Sequence, residues 1–123
     1  MTFIARVIGF REPVFNANVL RPIGTGDWLL MYFHAAARLS SSVRSDLQSA
    51  KTVIVWPPGA SQFYSWGRKA NVEPHSWIHC EGSGVQQQVH DNQIPVGTPF
   101  VVEDEEMVVD TLTMLWREMA DET

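Results

Sequence analysis

The sequence predicts a mainly β fold: a small barrel over about residues 1–82, then a short helix and a longer C-terminal amphipathic helix over about 83–120. Three observations lead there. The apolar, β-branched run Val53-Ile-Val-Trp56 stops at Pro57-Pro58-Gly59 and restarts at Phe63-Tyr64, which is how a small barrel turns its chain at a corner. Short apolar stretches separated by Gly, Pro and Ser clusters fill the first two thirds of the chain. From Asp104 the period changes, and Val108, Leu112, Leu115 and Met119 recur at spacings of four, three and four, one helical stripe. Strands first and helices afterwards, with 123 residues and no dividing linker, predict a single domain over 1–123.

Along the chain, residues 3–10 alternate loosely and read as a first strand, broken at Glu12-Pro13. Pro22 and Gly24 to Gly26 interrupt the next stretch. Residues 28–37 read as one long apolar strand, with helix as the competitor where Ala35 to Arg38 favour it. Residues 38–44, with Leu39 and Val43 in step, read as an outer strand, and 45–50 as a turn. Residues 52–56 and 61–66 flank the corner, 67–74 form a polar loop, and 76–80 a further strand. On that strand alternation places His75, Trp77 and His79 on one face and Ser76, Ile78 and Cys80 on the other. Gly82-Ser83-Gly84 closes the β-rich part, Ser83 being the expected N-cap of a short helix over 85–91. Pro95, Gly97 and Pro99 mark a connector, and 100–102 an extended piece. Asp104 opens the last helix, with Glu105 and Glu106 in its first turn and Arg117 in its last, both favourable to the helix dipole.

Composition narrows the function. A net charge of −5, from 9 basic against 14 acidic residues, argues against this segment binding nucleic acid by itself. The single cysteine, Cys80, excludes an internal disulfide and suits a reducing compartment. Residues 1–6 lack the basic region and apolar core of a signal peptide, and no apolar stretch approaches the roughly 20 residues of a membrane span. A cytoplasmic location without membrane contact is therefore expected. Five tryptophans, Trp28, Trp56, Trp66, Trp77 and Trp116, supply either core or an aromatic-lined cavity. No phosphate-binding Gly loop, serine elbow or acid pair is present, so no catalytic residue is assigned. Cys80, facing away from the histidines, reads as a small core residue.

The corner itself resembles that of cupin barrels, commonly Pro-x-Gly-x-x-His with the histidine binding a metal. Gln62 stands in that place here. His75 and His79 share a face, but around His34 there is only Phe33-His-Ala-Ala-Ala37, so fewer than three ligands remain. Neither a metal nor another cofactor is expected. Three further segments complete a pattern: Arg21-Pro-Ile-Gly24, Tyr64 after the corner, and His75-Ser-Trp-Ile-His-Cys-Glu-Gly82. Together they resemble the N-terminal ligand-sensing domain of AraC-type transcription regulators, from about Val19 onward.

That resemblance implies a cupin-like double-stranded β-helix, a jelly-roll barrel, that binds a small-molecule effector, a sugar in some members, and forms homodimers. DNA would be read by a C-terminal helical domain outside this chain, which ends at Thr123 without a basic helical segment. In sugar-responsive members the matching positions, here Arg21, Tyr64, His75 and Trp77, hold the ligand. The set suits a sugar: a guanidinium fork bridges vicinal hydroxyls and an indole stacks on the apolar face. Three features depart from the family: Ala50-Lys51 replaces a Pro-Gly before the corner strand, Phe63 replaces a polar residue and makes that wall less hydrophilic, and the strand Leu30 to Ala37 is more apolar than a sugar pocket needs. The last leaves a flatter or more apolar metabolite open as the ligand. The alternative reading is a small metal-independent cupin enzyme, an isomerase or epimerase acting on a carbohydrate with His75 or His79 as base. A third is a ligand-free assembly module.

Overall fold

A computed structural model describes residues 4–12, 18–41, 44–65, 75–108 and 110–111. Its strands are β1 (Ile4–Glu12), β2 (Asn18–Arg21), β3 (Trp28–Phe33), β4 (Ala37–Ser41), β5 (Arg44–Gln48), β6 (Thr52–Trp56), β7 (Gln62–Ser65), β8 (His75–Glu81) and β9 (Phe100–Val101), with helix α1 (Ser83–Asp91) between the last two. They form two antiparallel sheets, a five-stranded one in the order β1-β8-β3-β6-β9 and a four-stranded one in the order β2-β7-β4-β5. The chain passes repeatedly from one sheet to the other, so residues distant in sequence face one interior.

Two apolar layers hold the sheets. Leu29, Met31 and Phe33 of β3, Ile54 and Trp56 of β6, Ala37 and Leu39 of β4 and Tyr64 of β7 pack into one buried cluster drawn from both sheets. The alternate residues of the five-stranded sheet, among them Tyr32, Val53, Val55, Ile78 and Cys80, form a second cluster with Val85 of α1, against which Val89, Ile94, Phe100, Val102 and Val108 pack. Each large apolar side chain buried in these layers contributes about 1.5–3 kcal/mol. Burial on both faces explains why β6 is buried at every position and why its sequence shows no alternation.

At the corner Ala60 N donates to Pro57 O at 3.2 Å and Gly59 has φ of 83°, the signature of a type II turn with Pro58 and Gly59 in its two central places. Strand 52–56, the faces of β8 and the extended piece at 100–101 agree with the sequence reading. Asp104 caps the last helix as expected: Met107 N donates to its Oδ1 at 3.0 Å, and helix runs over 105–108 and 110–111. Val108, the first member of the apolar stripe, packs on the five-stranded sheet. Leu112, Leu115, Arg117 and Met119, with Trp66, Trp116, Val43 and the loop 67–74, lie outside the described residues.

Three expectations are corrected, and one strand is added. The long strand over 28–37 is two strands: β3 ends at Phe33, the chain bends at His34-Ala35, and β4 begins at Ala37 in the other sheet. The turn expected at 45–50 is largely β5, paired with β4 along five residues. Residues 18–21, too short a run to carry a strand signal of their own, form β2 through pairing with β7. Gly82 rather than Ser83 is the N-cap of α1, and no side-chain hydrogen bond caps it. Among the described residues no helix is long and apolar enough to cross a membrane.

Candidate ligand-binding site

Between the two sheets lies a cavity of about 200 Å³. Arg21, Tyr64, His75 and Trp77 all line it, brought together from β2, β7 and β8. Leu29 and Met31 of β3 and His79 of β8 complete the lining. These three are absent from the ligand set the sequence suggests, although strand alternation places His79 on the face of His75 and Trp77. The volume is below the ~300–1,000 Å³ of drug-sized sites, a size that suits a small metabolite.

Arg21 closes β2, opposite Gln62 in the register with β7. The following proline holds its backbone extended, and Gly24 N returns to Arg21 O at 3.2 Å, making residues 21–24 a tight turn. Its Nη1 donates to Tyr64 Oη at 3.1 Å and to Gln62 Oε1 at 3.3 Å, with Cζ 5.6 Å from the Tyr64 ring centre. Gln62 is fully buried. The side chain at the corner position where cupins place a metal-binding histidine thus serves as an acceptor that orients Arg21. Phe63, expected to make the cavity wall less hydrophilic, is not among its lining residues and alternates to the other face of β7.

The aromatic wall is continuous. His75 stacks on Trp77 with ring centres 4.8 Å apart and planes 24° apart, and it lies 6.2 Å from Tyr64. Trp56 supports Tyr64 from below at 6.0 Å and 29°. Burial, aided by the positive charge of His34 and Arg21, pushes the His75 imidazolium down to about 4 from an ordinary 6.5. The ring is therefore a neutral hydrogen-bonding partner near pH 7. Because the folded value is lowered, the unfolded chain takes the proton first. The resulting stability is complete above about pH 6.5 and lost as the pH falls toward about 4. A loss of about 1–2 kcal/mol is expected across that window, less than the full shift implies because the ring borders an open cavity. Urea unfolding midpoints measured from neutral pH to pH 4 should fall more steeply for the unaltered protein than for His75→Phe; parallel slopes would remove His75 as the cause.

His79 is held differently. Its Nδ1 lies 3.0 Å from Asp27 Oδ1, the oxygen that also accepts from Thr25 Oγ1 at 2.6 Å. Burial alone would raise the Asp27 carboxyl, but the hydrogen bonds from His79 and Thr25 outweigh it and hold the group below its ordinary value. His79, one of the two histidines considered as a base, thus has an acid partner that fixes its ring. Burial and the nearby Asp27 push the Cys80 thiol up to about 11, so it is a poor nucleophile. It faces α1, not the cavity. Among the described residues no three His, Cys, Asp or Glu side chains converge as a metal site would require.

No protein-family profile matches the chain, and no curated protein matches it significantly. The arrangement itself must therefore support any assignment. It offers one cationic fork, hydrogen-bonding aromatic and imidazole groups, a stacking wall and an apolar floor, the kinds of group that line small-molecule sites.

Proposed function

We propose that this chain is the effector-binding domain of an AraC-type transcription regulator, a cupin-like jelly roll that holds a small polar metabolite, such as a sugar, between its sheets. The observation that carries this reading is the convergence of Arg21, Tyr64, His75 and Trp77 on one cavity. A resemblance of linear motifs had no obligation to bring those four side chains together. Two features of the backbone support it. The strand orders β1-β8-β3-β6, extended by β9, and β2-β7-β4-β5 support a jelly-roll reading, in which two Greek keys alternate between the sheets. Lys51, at the place of the family's glycine, has φ of 67°, the conformation for which a glycine is the usual choice.

In this reading the ligand bridges the sheets, touching β2 and β7 through Arg21 and Tyr64 and β8 through His75 and Trp77. Binding would stabilise one relative placement of these strands and shift the populations available to a DNA-reading domain outside this chain and to a homodimer partner. A thermal-shift screen with pentoses, hexoses and uronic acids tests the site. A ligand at 100 times its Kd should stabilise the fold by about 2.7 kcal/mol, and the shift should disappear in Trp77→Ala and in Arg21→Ala. A shift that survives both substitutions would reject the assignment.

A further inference from the structure

Arg21 supplies the cavity's positive charge, yet its partners are the neutral Gln62 and Tyr64, and among the described residues no carboxylate pairs with it. Nη1 makes both bonds, so the donors on Nη2 and Nε remain available. A guanidinium drawn partly out of water with only neutral acceptors favours an anionic partner, and a carboxylate matches its fork bidentately.

The other polar pole is His79. Ionised Asp27 can only accept hydrogen bonds, so Nδ1 of His79 carries a proton, and in that tautomer of the unprotonated ring Nε2 presents a lone pair. Among the described residues no group donates to that Nε2, and His79 lines the cavity. Asp27 is not among the cavity's lining residues, and its Oδ1 accepts from both His79 and Thr25. His75, neutral, adds no competing charge. Leu29 and Met31 provide the apolar surface between the poles.

We infer that the cavity selects a small hydroxycarboxylic acid of the sugar-acid class over the neutral sugar of the same skeleton, its carboxylate on Arg21 and one hydroxyl donating to His79 Nε2. His79 then determines specificity and Asp27 is its positioning residue. The inference rests on the cavity being the effector site.

Titration calorimetry at about pH 8, above the ordinary histidine range, decides it with matched pairs: galacturonate against galactose, arabinonate against arabinose, and each acid against a deoxy acid. The acids should bind about 10- to 100-fold more tightly than their neutral partners, the range for a hydrogen bond to a charged group. Arg21→Gln should bring acid and sugar to parity. Asp27→Asn and His79→Phe should keep the preference for acid but lose discrimination against the deoxy acid, and two variants guard against one failing to fold. A neutral sugar that binds as tightly as its acid, with binding still lost in Trp77→Ala, overturns the acid preference and leaves the effector site standing. Binding indifferent to Trp77→Ala, or no binding by any member of the panel, overturns both.

Discussion

Trp56→Ala is expected to lower the unfolding free energy by about 3–5 kcal/mol, the cost of deleting a large aromatic from a closed core. Trp56 is 1% exposed and heads the fully buried side chains by volume. It ends β6 opposite Leu29, immediately before the Pro-Pro-Gly corner, so the backbone on both sides is held by strand pairing and by the turn. Neither can collapse into the space an indole leaves. Against a total of about 5–15 kcal/mol for a domain, the loss is a large fraction. Its consequence reaches the site, because the Tyr64 ring stacked on Trp56 is the one whose hydroxyl accepts from Arg21. Urea unfolding should show a lower midpoint with an unchanged slope, and Trp56→Phe should lie between the two. A loss below about 1 kcal/mol would mean that the inter-sheet core is not centred on this residue.

Local geometry is legible in the sequence, and long-range pairing is not. The corner is legible because Pro58 and Gly59 impose their own dihedral angles whatever surrounds them. The two faces of β8 are legible because alternation is a property of any strand. The break between β3 and β4 is not: both faces of β3 are buried, so no polar alternation marks its end, and His34-Ala-Ala36 carries neither glycine nor proline. Nor is β5, whose Arg, Ser, Asp and Gln content resembles a loop and becomes a strand only through its ladder with β4. The four site residues emerge only through a family resemblance, since no periodicity connects Arg21 with Trp77. Asp27 gives no sequence signal because its contact with His79 exists only once β3 and β8 are in register, with Leu29 opposite His79.

Gly24→Ala is expected to cost about 2–4 kcal/mol and to weaken ligand binding as well. Gly24 has φ of 72°, and a Cβ there would lie 2.7 Å from Ala60 O. The first feature alone costs about 1–2 kcal/mol. The second sets backbone against backbone, so no side chain can swing aside. One turn must move: the Arg21–Gly24 turn that delivers the guanidinium, or the Pro57–Ala60 turn that leads to Gln62 and Tyr64. Either movement separates Arg21 from the two acceptors that hold it. Gly59→Ala is the matched control, since Gly59 has φ of 83° but its added Cβ would meet nothing within 4 Å. It should show the conformational cost alone and retain the ligand-induced rise in Tm that Gly24→Ala loses. Equal stability losses and equal ligand responses in the two variants would show that turn-to-turn contact does not set the position of Arg21. A larger loss in Gly24→Ala on both measures would tie the site's cationic pole to the Pro-Pro-Gly corner that leads into Gln62 and Tyr64.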